Sequence, residues 1–370
     1  MSRALALLPL FAVTQVVAAP LQDGPYVMRS PNGAWVARWV EGDDSAPQVR
    51  ETPVAAGGVV TVPAVGPVPE LNVKLRSIAA MPAADEVKLP PGVPLFVMAD
   101  THGEYAIAIE LLQKQKVIDS KLKWSFGKGR LAVLGDVFDR GPNQTEILWL
   151  LYSLEAQAKA AGGAVHVMLG NHESMALGGD ERYLSPKYLK VREALKAPSY
   201  ASLWSQDSLL GQWLRTKAAV MKIGDYVCLH GGLSAEVVQR GLTLAQLNNS
   251  VRSSLGDRQP DGFVMSPNGP LWYRGYFPEA ARESGSAVAT ADDIDRILGF
   301  YKVKAIFVGH TIVSTVTPLY GGRVVAVQVY PHRDDATAKP EMQGLLVKQG
   351  IFYRARIDGS LEPLSQPPGD

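Results

Sequence analysis

The chain has 370 residues, 46% hydrophobic and 20% charged, with a formal net charge of +1. That composition excludes a disordered or membrane-embedded protein and fits a globular one with ample core. The near-neutral charge leaves no global basic field for nucleic acid or an anionic membrane. Met1-Ser2-Arg3, the mostly apolar run Ala4–Val17 and the small residues Ala18 and Ala19 have the layout of a secretory signal peptide over residues 1–19. The run is too short for a comfortable membrane span. It predicts a periplasmic or secreted protein, with cleavage after Ala18 and no stable span afterwards.

Residues 20–91 have a different texture. Short β-branched pieces within Val27–Val40, Gly58–Val62 and Asn72–Leu75 are separated by Gly, Pro and Asp. They predict a small β-rich N-terminal module followed by a linker toward Pro90-Pro91. Residues 92–335 then alternate strand and helix. The runs Leu95–Ala99, Leu131–Leu134, Val165–Leu169, Tyr226–Leu229 and Ala305–Val308 suit buried strands, while Tyr105–Gln115 and Thr145–Ala160 have helical spacing. Residues 186–217 read as a helical insertion. Val324–Val329 reads as a late strand. In the C-terminal stretch 336–370, Gly344–Lys348 and Ile351–Ile357 read as a hairpin about Gln349-Gly350. The fold class is therefore α/β (α+β).

The chemistry gathers just beyond the predicted strands. Asp100 and His102 stand in Ala99-Asp100-Thr101-His102-Gly103, and Asp136 in Gly135-Asp136-Val137-Phe138-Asp139-Arg140-Gly141. Asn171 stands in Gly170-Asn171-His172-Glu173, His230 before Gly231-Gly232, and His310 in Gly309-His310-Thr311. Carboxylate, imidazole and amide oxygen suit divalent Mn, Fe or Zn rather than a thiolate site. Asp136, central in the series, is the candidate bridge between two ions, with Asp100 and His102 completing one and Asn171, His230 and His310 the other. The lone cysteine, Cys228, lies in a strand run and reads as core. His166, also in a strand, reads as a satisfied core histidine, and His332 as a loop residue.

The order of these motifs resembles the calcineurin-like metallophosphoesterases. Asp139-Arg140-Gly141 and Asn171-His172-Glu173 bring the resemblance closer to the phosphoprotein phosphatases. Gly179-Asp180-Glu181-Arg182-Tyr183 and Gly269-Pro270-Leu271-Trp272-Tyr273-Arg274-Gly275 are similar to the bacterial Shewanella-like branch. The resemblance covers residues 93–330 and implies a mixed β-sandwich flanked by helices. It implies a metal-dependent phosphomonoesterase that uses a metal-bridging hydroxide as nucleophile and His172 as general acid, oriented by Asp139. Arg140 would clamp phosphate through its planar fork, with Arg274 a candidate second clamp. Two departures stand out: Ala99 where the family has Gly, and Val327-Gln328-Val329-Tyr330-Pro331-His332 where it tends to an acidic Asp-x-Gly.

Bland readings stand beside these. Arg140 has the alternative of an ion pair with Asp139, Arg274 of stacking on Trp272, and Asp180–Arg182 of a surface salt bridge. Glu173 reads as a buttress that hydrogen-bonds the motif. Trp272 and Tyr273, with Tyr183, would offer an aromatic wall to a phosphotyrosine ring. The expected substrate is thus a phosphorylated protein, with phosphotyrosine favoured. Small phosphoesters remain as alternatives: diadenosine polyphosphates, nucleotides, or those met by a periplasmic scavenging phosphatase. A non-catalytic, metal-bound phosphate-recognition module is the reading outside enzymology.

Overall fold

Apolar runs without polar alternation become strands buried on both faces, and these strands organise the molecule. The computed structural model describes residues 20–78, 83–257 and 262–365. The expected signal peptide, residues 1–19, lies outside them. First come β1 (Leu21–Arg29), β2 (Trp35–Gly42), β3 (Gln48–Pro53), β4 (Val59–Val62) and β5 (Leu71–Lys74). Then follow β6 (Glu86–Val87), β7 (Leu95–Met98), α1 (Tyr105–Lys114), β8 (Arg130–Val133), α2 (Gln144–Ala160), β9 (Ala164–Val167) and α3 (Asn171–Gly178). The helical insertion comprises α4 (Pro186–Ala194), a 3-10 turn at Tyr200–Trp204 and α5 (Leu209–Arg215). The chain continues through β10 (Val220–Ile223), β11 (Tyr226–Leu229), α6 (Ala235–Gln239), α7 (Leu244–Ser254), α8 (Pro278–Ser284) and α9 (Ala291–Tyr301). After β12 (Ala305–Val308), β13 (Thr317–Leu319) and β14 (Val324–Ala326) comes a small pair, β15 (His332–Arg333) and β16 (Pro340–Glu341). Last are β17 (Gln343–Lys348), β18 (Ile351–Arg356) and β19 (Leu361–Pro363).

Two six-stranded sheets face each other, ordered β19-β18-β17-β7-β8-β9 and β13-β14-β12-β11-β10-β6. Successive side chains of a strand point to opposite faces, and here both faces find apolar partners. Leu95 and Val97 of β7 meet Cys228, Ala305 and Phe307 in the core between the sheets, while Phe96 and Met98 join the outer layer with α1 and α2. Val227, Leu229, Ile306 and Val308 face outward beneath α7 and α9. This is the expected sandwich flanked by helices. Cys228 is fully buried, and burial pushes its thiol up, which suits a core residue. Ala99 is buried in the same inter-sheet core. Among the described residues no helix is long and apolar enough to cross a membrane.

Long-range pairing departs from the linear reading in three places. Glu86–Val87, in the stretch expected as linker, pairs in parallel with β10. The late hairpin forms about Gln349-Gly350 as expected, but β17 also docks antiparallel on β7 inside the first sheet. The strand expected over Val324–Val329 stops at Ala326, which frees Gln328–Tyr330 from the ladder. The N-terminal strands β1, β4 and β5 share one apolar cluster with α1, α2 and the insertion.

Behind that cluster lies a buried ion group. Lys187 of α4 reaches Asp23 of β1 at 2.9 Å and Glu146 of α2 at 3.3 Å. Burial, opposed by Lys187, lifts the Glu146 carboxyl from 4.5 to about 7. A raised folded-state value means that the Glu146 contribution to stability is fully present below about 4.5 and is lost as pH climbs through about 7. Glu146→Gln does not titrate. Its stability relative to wild type is therefore expected to rise by roughly 1–3 kcal/mol between pH 5 and pH 8 in urea melts. A difference that stays constant across that range counts against the account.

Candidate metal centre

Parallel strands deliver the motifs to one edge. Asp100 and His102 follow β7, Asp136 follows β8, Asn171 opens α3 after β9, and His230 and His310 follow β11 and β12. In sheets of this kind sites gather outside the carboxyl ends of the strands. The chain must turn sharply there, and Asp100, His102, Asp136, Asp139, Arg140 and His310 all have positive φ, between 39° and 69°. Such backbone costs on the order of 1–3 kcal/mol per residue and persists only where surrounding contacts enforce it. Glycine is required where backbone meets carboxylate. A Cβ on Gly170 would lie 2.1 Å from Asp136 Oδ1, and one on Gly309 2.4 Å from Asp100 Oδ1.

All six predicted ligands are buried and converge. Asp136 Oδ2 stands 3.2 Å from His230 Nε2, 3.7 Å from His102 Nε2 and 3.9 Å from His172 Nε2. His230 Nε2 lies 2.8 Å from Asn171 Oδ1 and 3.1 Å from His310 Nδ1. Asp100 sits on the His230 side, 3.8 Å from its Nδ1, and accepts the His310 backbone N–H at 3.1 Å. Two groups have ligand-compatible spacing: Asp136, His230 and His310, and His102, Asp136 and His172. The sequence had set His172 apart from the ligands, so its presence in the second group is a departure in position.

The donor set fits divalent cations. His102 Nδ1 donates to Phe138 O at 2.8 Å and His230 Nδ1 to Leu134 O at 2.9 Å. A carbonyl only accepts, so in its neutral form each of these rings turns an Nε2 lone pair inward. His310 Nε2 is buried with no hydrogen-bond partner. Inward lone pairs crowd against carboxylate and amide oxygens, an arrangement that positive charge relieves. The titration pattern agrees. Burial lifts Asp100 to about 8, against the pull of His230. Burial disfavours charge on His230, yet Asp136 and Asp100 outweigh it and lift the ring to about 9. Burial, then His230 and Arg274, hold His310 far below its usual value. Burial lowers His102 to about 4, with Asp136 opposing.

The surrounding groups fall into place around this centre. Glu173 is the expected buttress: its carboxylate accepts the backbone N–H groups of Gly170, Asp136 and Val137 at 2.6, 2.9 and 2.7 Å. His172 Nδ1 meets Asp139 Oδ2 at 2.6 Å. Burial disfavours the His172 cation, but Asp136 and the Asp139 bond overcome it and raise the ring's affinity for its proton. Arg140 is exposed, and its guanidinium stands between the rings of Tyr183 and Tyr330, 5.9 and 5.8 Å from their centres. Asp139 is committed to His172 instead. Arg274 donates to His310 O at 2.8 Å and Thr311 Oγ1 at 3.2 Å.

Some readings need correction. Tyr273 is no part of an aromatic wall: it is buried and packs edge-on against Tyr276 at 5.2 Å. Trp272 does face the centre, its ring perpendicular to His310 at 6.0 Å. Trp272 is half-buried and also packs against the apolar cluster that holds Tyr273. His166 is not satisfied, because its Nε2 is buried without a partner. Asp180 and Arg182 form a bidentate pair at the surface, with Arg182 Nε donating to Oδ1 and Nη2 to Oδ2. His332 is exposed in β15. Tyr330 is the rim residue that sequence reasoning missed, its ring 5.9 Å from His102. The signal was its place in the departure after the last ligand.

Comparison with known proteins agrees with the geometry. A family model described as calcineurin-like phosphoesterase matches residues 93–314. Shewanella-like protein phosphatase 2 of Arabidopsis thaliana is 26% identical over 303 residues, covering 70% of this chain and 76% of that one. Serine/threonine-protein phosphatase PP1-1 of Saccharomyces cerevisiae is 28% identical over 148 residues, 40% of this chain and 42% of that one. The crystal structure of the cold-active protein-tyrosine phosphatase of a psychrophilic Shewanella species superposes with a TM-score of 0.79 at 35% identity, covering 93% of this chain and 99% of that one.

Proposed function

We propose, for a chain that belongs to the calcineurin-like phosphoesterase family and is a metal-dependent phosphatase, that the substrate is phosphotyrosine in a protein or peptide. The observation that carries this is the aromatic rim. Tyr183 lies 5.4 Å from His172, Tyr330 5.9 Å from His102, and Arg140 stands between the two tyrosines. Aryl leaving groups gain edge and face contacts from such rings that a serine phosphate lacks. The similar Shewanella enzyme is described as a protein-tyrosine phosphatase, which supports the same reading.

Asp100, His102, Asp136, Asn171, His230 and His310 would hold two divalent ions, with Mn, Fe or Zn all suited to these donors. Bound there, the ions supply an activated water and neutralise charge on the phosphoryl oxygens. The chain's own residues do the rest. Arg140 offers its planar fork to two phosphate oxygens, and Arg274, anchored on the His310 carbonyl, adds positive charge beside them. His172 gives its proton to the departing oxygen, and Asp139 holds the ring in the orientation that presents Nε2.

Rates on a phosphotyrosine peptide, a phosphoserine peptide and diadenosine tetraphosphate test the proposal directly. The first is expected to be the best substrate. A preference for the dinucleotide would sink the protein-phosphatase reading. Tyr330→Ala is expected to lower kcat/KM for the phosphotyrosine peptide by about threefold to tenfold, the worth of an aromatic pair, with little change for phosphoserine.

A further inference from the structure

Asp139 depends on a support that lies outside every motif. It and Arg140 have φ of 69° and 67° in succession, so the loop needs to be held from outside. Three grips do so. The Phe138 ring packs edge-on against Trp204 at 5.0 Å, and the Arg140 N–H donates to Tyr183 O at 2.9 Å. Between them, the Asp139 N–H donates to Gln144 Oε1 at 2.6 Å.

Gln144, the first residue of α2, is fully buried and all its polar groups are engaged. Its amide Nε2 donates to the Tyr200 hydroxyl, and its backbone N–H donates to the Tyr188 hydroxyl at 2.8 Å. Tyr188 in turn donates to Pro142 O at 2.9 Å. The next residue, Thr145, reaches Asp23 of β1 at 3.3 Å, where Tyr26 and Lys187 also converge. Tyr26 closes the circuit through Trp204, ring to ring at 5.8 Å. Gln144 is thus wedged between the general-acid loop on one side and a frame built from the helical insertion and the first N-terminal strand on the other.

We infer that Gln144 is a positioning residue: it fixes Asp139 against His172, and the insertion and N-terminal strand serve as the frame that fixes Gln144. This rests on the reading of His172 as general acid. Loss of the Gln144 acceptor leaves the Asp139 N–H buried and unpaired, so the loop shifts and the 2.6 Å bond to His172 loosens. Proton donation weakens while the metal ligands stay in place.

A general acid matters most when the leaving oxygen is basic, which gives the test a readout that mere packing loss does not move. Wild type, Gln144→Met and Gln144→Glu are compared on phenyl phosphate, whose leaving group has a pKa near that of tyrosine at about 10, and on the activated nitrophenyl ester. Gln144→Met keeps the length and removes the acceptor. It is expected to lose about 10–100-fold in kcat/KM on the phenyl ester, as for other residues that orient a functional group. On the nitrophenyl ester the loss should stay under about threefold, because an activated leaving group needs little proton donation. Gln144→Glu retains an acceptor and should recover most of the loss. Equal losses on both esters, or none on either, with wild-type metal content and melting temperature, overturn the inference.

His172→Ala is the control. If it discriminates between the esters and Gln144→Met does not, only the positioning role falls. If His172→Ala does not discriminate either, the general-acid reading falls and takes this inference with it. Should Gln144→Met fail to fold, Tyr200→Phe removes only the hydroxyl that holds the Gln144 amide. The same selective loss, smaller in size, is then expected, and its absence overturns the inference.

Discussion

Asp136→Asn is expected to lower turnover by more than about a thousandfold and to release bound metal, the largest effect of any single substitution in the protein. The isosteric amide loses the charge on which both halves of the centre depend. It also misplaces a donor. Asp136 Oδ1 accepts the His172 backbone N–H at 3.0 Å, while Oδ2 faces His230, His102 and His172. An asparagine that keeps its oxygen on the N–H must turn its NH2 toward those ring nitrogens and away from any cation. The fold should survive, because Glu173 continues to hold the Asp136 and Val137 backbone. Metal content by elemental analysis, beside turnover of nitrophenyl phosphate, checks both halves. Wild-type metal and turnover in a folded variant would refute the assignment of Asp136 as the bridge.

His172→Ala should cost about 10²–10⁴ in kcat on phenyl phosphate, the usual contribution of a general acid, and far less on the nitrophenyl ester. Metal content should be unchanged. That second readout matters because His172 Nε2 lies within ligand-compatible distance of Asp136 and His102. Two observations favour the acid over the ligand. His172 Nδ1 is committed to a carboxylate, Asp139, whereas His102 and His230 each use Nδ1 on a backbone carbonyl. The carboxylate partner raises the ring's affinity for the proton that an acid delivers, and because metal-bound histidines also use carboxylate partners the metal readout decides between the two roles. Loss of one metal equivalent in His172→Ala would reverse the assignment.

Much of the centre was legible because each part of it is local. A parallel strand buried on both faces reads as a continuous apolar run, and Tyr226–Leu229 and Ala305–Val308 were bounded correctly from that alone. The residue after such a run sits at a strand end, where Asp, His and Gly at fixed offsets turn the chain and expose donors. The resemblance then assigned roles that spacing does not reveal, notably those of His172 and Asp139.

Other features depended on partners far away in sequence. Two residues, Glu86–Val87, show no periodicity, and become a strand only because β10 offers an unpaired edge. Trp272 and Tyr273 read alike as a string, but packing sent one toward His310 and the other into the core. Tyr330 reached the rim because the ladder stopped at Ala326. Gln144 stands one residue before the helix expected over Thr145–Ala160, and its burial follows from contacts with Tyr188 and Tyr200 of the insertion. The sequence by itself thus determined the kind of chemistry and the strand ends that carry it, since donor identity and turn geometry are properties of a few adjacent residues. Only the tertiary structure decided which side chains surround the centre and what holds the Asp139 loop, since those follow from contacts between segments that the chain brings together only on folding.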